Sequence, residues 1–258
     1  MPTYRPGRHE LGQNFLTDPE AVDTIVSLIS QTAGPIVEIG SGGGALTLPM
    51  QALRRPITAI EIDPRLARTL ARRVDPPTTI VPGDFMHYRL PRTPHVIVGN
   101  LPFHQTTAIL RHLLHADHWT AAVLLLQWEV ARRRAAVGGA TMMTAQWWPW
   151  YVFDLAGRVP AAAFTPRPGV DAGLLKITRR SDPLVDAARR RRYKAFVHSV
   201  FTSKGRGLHE ILPRVAGSSA KAAVRKWLAG QRFRGTPLPR DLSAPQWAEV
   251  FAIVDRYG

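Results

Sequence analysis

The chain has 258 residues, 45% of them hydrophobic and 21% charged, with no cysteine and a formal net charge of +15. This length and apolar content suit a globular chain with one large domain, or one large and one small. The absence of cysteine excludes disulfides, thiolate metal sites and thiol nucleophiles. No apolar run reaches the roughly 18–20 residues of a membrane span, and Met1-Pro2-Thr3-Tyr4-Arg5 lacks the apolar core of a signal peptide, so a cytoplasmic protein is expected.

The charge is unevenly spread. Residues 1–178 carry 17 Lys and Arg against 13 Asp and Glu; residues 179–258 carry 17 against 6. A basic appendage on a nearly balanced body predicts a polyanionic partner gripped through its phosphate backbone.

In chain order, a polar lead-in over residues 1–17 precedes Asp18-Pro19-Glu20, which has the composition of a helix start. Val22, Ile25, Val26 and Ile29 then recur at helical spacing, and Gly34-Pro35 ends the helix. Ile36-Val37-Glu38-Ile39 reads as a short buried strand, followed by the loop Gly40-Ser41-Gly42-Gly43-Gly44 and a helix from Ala45. Strands are expected at 57–61, 79–81, 96–98 and 121–126, and helices at 64–74, 105–115 and 129–136. Late strands at 150–155 and 172–177 suit an antiparallel edge. Alternating strands and helices imply a parallel sheet covered on both faces. Beyond Thr178 no strand pattern remains, and residues 184–201, 207–215, 218–229 and 245–256 look helical. The expected fold is therefore α/β, a doubly wound, mostly parallel Rossmann-like sheet over residues 1–178, with a small all-helical basic domain over 179–258.

The ends of the first four strands of this sheet carry polar or flexible residues, and such ends line one crevice. The Gly loop follows the first strand. Its Gly-x-Gly-x-Gly spacing fits neither the dinucleotide fingerprint nor the Lys-bearing phosphate loop. Glu61 ends the second strand, about 20 residues on, where an acid can take both hydroxyls of a ribose. Gly83-Asp84-Phe85 ends the third, with Asp84 an acceptor for an adenine amine and Phe85 an apolar contact. Val98-Gly99-Asn100-Leu101-Pro102-Phe103 ends the fourth. There Asn100 accepts through its side-chain oxygen and Leu101 through its carbonyl, Pro102 holds Leu101 extended, and Phe103 offers a flat face. Two acceptors and a stacking ring suit a planar base with an exocyclic NH2. The nine histidines show no metal-ligand spacing with partner acids, and Trp147-Trp148-Pro149-Trp150 reads most simply as core packing.

Together these residues resemble the adenine-N6 rRNA methyltransferases, and within them the Erm group, which modifies 23S rRNA and confers macrolide–lincosamide–streptogramin B resistance. The resemblance runs over nearly the whole chain. It implies S-adenosylmethionine as cofactor, bound by Asn14 and Leu16 of the motif Gly12-Gln13-Asn14-Phe15-Leu16, by Gly40, Glu61, Ile62, Asp84 and Phe85, and by Asn100. It implies a catalytic motif Asn100-Leu101-Pro102-Phe103, with Phe103 where many relatives carry Tyr. Phe164, in the segment Phe164-Thr165-Pro166-Arg167-Pro168-Gly169-Val170, is implied beside the target base. Arg189, Arg190, Arg191 and Arg192, with Lys204 and Arg206, are the expected RNA-binding surface. The implied partner is 23S rRNA, naked or in an assembling large subunit, with the protein a monomer and no membrane or metal involved. The sister enzymes that dimethylate small-subunit rRNA share the catalytic motif. A non-catalytic nucleic-acid-binding factor on the same fold is the alternative of another class.

Overall fold

Four residues, Ile36–Ile39, form strand β2, and all four are buried. A strand buried on both faces needs paired neighbours and covering helices, and the chain supplies them. In the computed structural model, which describes residues 14–233 and 235–257, the other strands are β1 (Phe15–Leu16), β3 (Ile57–Glu61), β4 (Thr78–Pro82), β5 (His95–Asn100), β6 (Trp119–Gln127), β7 (Tyr151–Val159), β8 (Phe164–Thr165) and β9 (Ala172–Arg179). Seven of them form one sheet in the order β4-β3-β2-β5-β6-β9-β7, and β1 pairs with β8 apart from it. β2, β3, β4, β5 and β6 are mutually parallel, whereas β9 lies antiparallel to β6. The strand order reverses between β2 and β5, and it is outside the carboxyl ends of strands at such a switch that open α/β sheets bind ligands.

The helices are α1 (Pro19–Ser30), α2 (Thr47–Met50), α3 (Pro64–Ala71), α4 (Thr106–His115), α5 (Trp128–Arg134), α6 (Met142–Trp147), α7 (Arg190–Thr202), α8 (Leu208–Val215), α9 (Gly217–Gly230) and α10 (Ala244–Tyr257). Their starts follow from local chemistry. The Asp18 carboxylate accepts from the Ala21 N–H at 2.8 Å ahead of Pro19, and Asp63 accepts from the Arg65 N–H at 2.7 Å ahead of Pro64. Each satisfies a backbone donor that the first helical turn leaves open.

The chain divides into two compact units. One takes in the chain through Ala131 together with Asp154–Thr178; the other takes Arg132–Phe153 and the chain from Arg179 on. The sequence-based division at 178 and 179 thus misplaces residues 132–153, which join the C-terminal helices. The regrouping sharpens the charge asymmetry: the first unit holds 14 Lys and Arg against 13 Asp and Glu, the second 20 against 6. The second unit is organised by aromatic rings. Tyr193 of α7 meets Phe251 of α10 edge-on at 5.1 Å, and Phe201 stacks on Trp247 at 5.7 Å. Trp147 and Trp150 are both buried, with rings 6.3 Å apart.

Two features of the sheet bear directly on the crevice. At the switch point Ile39 faces Gly99, and a Cβ on Gly99 would lie 2.8 Å from the Ile39 carbonyl oxygen. Only glycine lets β2 and β5 pair this closely. One residue earlier, β2 buries the carboxyl of Glu38, which accepts from the Thr47 hydroxyl at 2.6 Å. Burial pushes this carboxyl up to about 7 from its ordinary 4.5; the Thr47 bond opposes the shift and the charge of Glu61 adds to it.

Gly99→Ala is expected to lower stability by about 1–3 kcal/mol, because the backbone atom it meets cannot step aside. Gly157→Ala, where an added Cβ meets nothing within 4 Å, serves as the control in thermal unfolding. Glu38 sets a pH dependence. Its folded value lies above its unfolded one, so the folded protein keeps a proton that the unfolded chain loses between pH 4.5 and about 7. Stability therefore falls as pH rises through that window, by about 1.4 kcal/mol per pH unit. Unfolding midpoints of the cofactor-free protein should show this slope, and Glu38→Gln should flatten it whatever its absolute midpoint.

Candidate active site

The ends of β2, β3, β4 and β5 open on one crevice in the first unit. Asn14, Leu16, Gly40, Glu61, Ile62, Asp84, Phe85 and Asn100-Leu101-Pro102-Phe103 all line it. Eleven residues expected from the sequence to hold the cofactor or the target base therefore converge on one place. The segment Gly12-Gln13 of the N-terminal motif lies outside the described residues.

Glu61 organises the floor. One carboxylate oxygen accepts from the Gly42 N–H at 2.7 Å and the other from the Asp63 N–H at 2.8 Å. The loop after β2 and the turn after β3 are thereby held to one buried carboxylate. Each oxygen has two acceptor positions, so two remain for a sugar diol. Gly40, with φ +70°, turns the chain away from the sheet while its N–H still reaches the Ile60 carbonyl at 2.9 Å. At the third strand end, Asp84 accepts from the Met86 N–H at 2.9 Å, and its second oxygen lies 3.5 Å from His87 Nδ1. Phe85 is buried and meets His112 edge-on at 5.5 Å.

Asn100 is the most informative residue. Its side-chain nitrogen donates to the backbone carbonyl of Asn14 at 2.7 Å. A carbonyl only accepts, so the amide must present its NH2 end there, and Oδ1 is left as the free end. The Leu101 N–H donates to the Leu125 carbonyl at 3.0 Å, continuing the sheet, while no hydrogen bond among the described residues ends on the Leu101 carbonyl. Pro102 turns the chain, its carbonyl accepting from the Gln105 N–H at 3.0 Å. Phe103 packs half-buried against the hydrophobic cluster that includes Leu16 and Val98. Two acceptors and one ring are thus placed together.

These residues fit S-adenosylmethionine. Ser41 is buried and its hydroxyl has no partner among the described residues, as expected of a group whose partner is a ligand. Ile62 is 45% exposed although it lines a concave wall, offering an apolar face to a nucleobase. Glu38, Glu61 and Asp84 line the crevice, and none of its described lining residues is Lys or Arg. An acid-rich crevice without cations suits a positively charged sulfonium and is unsuited to a pyrophosphate. Phe15, Ser41, Met86 and Gln105 also line the site, and the sequence reading had assigned them no role. Phe15 carried a signal as a member of the N-terminal motif, and Ser41 as a member of the Gly loop.

One expected RNA contact is corrected, and a second group is qualified. Phe164 is 3% exposed, belongs to the cluster that backs Phe103, and does not line the crevice. Its backbone pairs instead with Leu16 across β1 and β8, so the segment anchors the N-terminal motif rather than stacking on a base. The arginine run of the second unit has internal partners yet still presents surface, with the side chains of Arg189 and Arg192 each 57% exposed. Arg189 and Arg192 both pair with Asp255, whose side chain is 1% exposed, the second pair at 3.0 Å. Arg190 lies over the rings of Trp147 and Trp150, at 5.7 and 5.1 Å. Arg191, Lys204 and Arg206 are exposed.

Comparison with known proteins agrees with this geometry. The family described as ribosomal RNA adenine dimethylase matches residues 5–232. An rRNA adenine N-6-methyltransferase of Corynebacterium diphtheriae is 56% identical over 83% of this chain and 85% of its own length. The mycinamicin-resistance protein MyrB of Micromonospora griseorubida is 46% identical over 98% of this chain and 80% of its own. The crystal structure of the 23S rRNA methyltransferase ErmE superposes with a TM-score of 0.85 at 29% identity, covering 94% of this chain and all of that one. The chain belongs to the ribosomal RNA adenine dimethylase family, as an S-adenosylmethionine-dependent rRNA adenine N6-methyltransferase.

Proposed function

We propose that this enzyme methylates N6 of one adenine in the peptidyl-transferase region of 23S rRNA, acts as a monomer in the cytoplasm, and confers macrolide–lincosamide–streptogramin B resistance. The similarity to a mycinamicin-resistance protein and to a 23S rRNA methyltransferase supports this target over the small-subunit rRNA of the sister enzymes. The observation that carries the chemistry is the tied nitrogen of Asn100, which leaves an oxygen for an amine.

Bound S-adenosylmethionine supplies an electrophilic methyl group. Glu61 takes the ribose hydroxyls, Asp84 the adenine amine, and Ile62 and Phe85 the adenine face, while Asn14, Leu16 and Gly40 close the methionine end. The target adenine leaves its stack, at a cost of a few kcal/mol that is smaller in a loop than in a duplex, and Phe103 offsets part of this by stacking on it, worth about 1–3 kcal/mol. Its amine is a poor nucleophile because the nitrogen lone pair is delocalised into the ring. Asn100 Oδ1 and the Leu101 carbonyl each accept one N–H, which favours a tetrahedral nitrogen and aims its lone pair away from both acceptors. Placement then supplies much of the rate. The methylated nitrogen releases its proton to water, so no side-chain base is needed. Exposed cations of the second unit, Arg191, Lys204 and Arg206 among them, hold RNA phosphates and fix register without reading sequence.

Expression in macrolide-susceptible bacteria should raise resistance, and mass mapping of their rRNA should place the new methyl on one adenine of 23S rRNA; a methyl on 16S rRNA alone would refute the target. Asn100→Ala should abolish both, with turnover in vitro down roughly 10²–10³-fold, as when one preorganised hydrogen-bond partner of a transition state is removed. The arginines should separate by role. Arg191→Gln is expected to weaken RNA binding and reduce the slope of log K against log salt by about 0.7–0.9. Arg192→Gln should chiefly lower the unfolding midpoint, because it strips one partner from the buried Asp255. Equal salt slopes for the two variants would overturn this division.

A further inference from the structure

The residues Asn14–Asp18 form a short strap with one end on the catalytic motif. At that end the Asn14 carbonyl accepts from Asn100 Nδ2 at 2.7 Å. Next, the Phe15 ring lies against the Gly loop, so close that a Cβ on Gly42 would meet it at 3.1 Å. Leu16 is buried and pairs with Phe164. At the far end the Thr17 N–H and hydroxyl both donate to the Ala163 carbonyl, at 2.8 and 3.1 Å, and Asp18 caps α1. Asn14, Phe15 and Leu16 are walls of the cofactor crevice, whereas Thr17 is not.

An amide side chain can turn over and exchange its donor and acceptor ends, and nothing in its shape prevents this. For Asn100 the orientation matters, since only the oxygen can receive an N–H of the target amine. The Asn14 carbonyl is the one described partner of the Asn100 side chain, and it tolerates only the NH2 end. We infer that the Asn14 carbonyl is a positioning group for Asn100, and that docking of the strap, which also closes the cofactor site, sets the catalytic amide in its acceptor orientation. The inference rests on the acceptor role proposed for Asn100 and adds a coupling to it: the contact that walls in the methyl donor is the one that orients the base acceptor. It also accounts for an amide rather than a carboxylate at this position. A carboxylate would offer the base two acceptors but would set a lone pair against the Asn14 carbonyl and release the strap.

The test compares Asn100→Asp with Asn100→Ala in the full-length enzyme at pH 8. It reads S-adenosylmethionine affinity by titration calorimetry, single-turnover methylation of a 23S rRNA fragment, and hydrogen exchange of the Phe15–Thr17 amides. Asn100→Asp should weaken cofactor binding by about tenfold, the loss of one hydrogen bond, should speed exchange in the strap, and should methylate no faster than Asn100→Ala. A direct effect of a new carboxylate on a sulfonium would have the opposite sign and tighten binding. Wild-type or tighter cofactor affinity with unchanged strap exchange would overturn the coupling, and the acceptor role of Asn100 would survive. Full turnover of Asn100→Ala would instead remove the acceptor role itself. Thr17→Val tests the strap from its far end without touching the crevice. Faster exchange at Phe15 and Leu16 should be matched by a several-fold weaker cofactor Kd; faster exchange with an unchanged Kd would also overturn the coupling.

Discussion

A backbone carbonyl can receive a hydrogen bond and cannot give one. That asymmetry, at the contact between Asn14 and Asn100, fixes the amide with its oxygen free, which is what the proposed action on an amine requires. The four strand ends bring the right atoms into one volume, but an amide is symmetric enough in shape to present either end. The sheet sets where Asn100 stands; the inferred part of the strap is to set which of its two ends faces the target. The close approach of β2 to β5 underlies both, because Ile39 and Gly99 stand side by side at the strand switch and Asn100 follows directly. A side chain at position 99 would move the catalytic strand end away from the Gly loop it must face.

Much of the first unit was legible in the sequence because its signals are local. A run such as Ile36–Ile39 flanked by Gly-Pro and Gly-rich turns names both ends of a buried strand, and Asp18-Pro19 and Asp63-Pro64 name helix starts through capping chemistry. The site was legible for a related reason. Polar residues at the ends of successive parallel strands must meet once those strands lie side by side, so Glu61, Asp84 and Asn100 did not need long-range information. The pairing of β1 with β8 was not legible. Two-residue strands have no periodicity, and their partner stands 148 residues away, as Leu16 and Phe164 show. Helix α6 spans six residues, too few to repeat an apolar position usefully. The membership of residues 132–153 in the second unit is likewise a matter of tertiary packing, to which composition is blind.

The misplaced Phe164 and the internal partners of the arginine run share one physical origin. Motif and charge identify residue types, while availability is decided by neighbours far along the chain. Phe164 is aromatic and opens the segment Phe164–Val170 that the resemblance marks, yet its ring fills the core. The four arginines read as a phosphate grip until Asp255, more than 60 residues later, claims two of them and the Trp147-Trp150 pair a third. A single Asp255 carboxylate compensates at most one of the two arginines it pairs with, and both arginine side chains stay 57% exposed, so the run keeps positive charge at the surface but less than its four residues suggest. Net charge therefore overstates the number of cations free to bind RNA, even in a unit holding 20 basic residues against 6 acidic ones.

The same reasoning explains why the two kinds of charge sit in different units. Glu38, Glu61 and Asp84 favour a cationic cofactor only while no lysine or arginine shares their crevice, and its described lining has none. A basic residue there would compensate the acids, lower the Glu38 carboxyl, and invite phosphates to compete for the site. The first unit is close to neutral as a whole, yet locally acidic where the methyl donor binds. The second carries the long-range positive field, which is non-specific and works over distances comparable to the Debye length, about 8–10 Å at ordinary salt. In the proposed reaction, selection of the base falls to short-range hydrogen bonds at Asn100 and Leu101, which a phosphate oxygen, having no proton to give, cannot make.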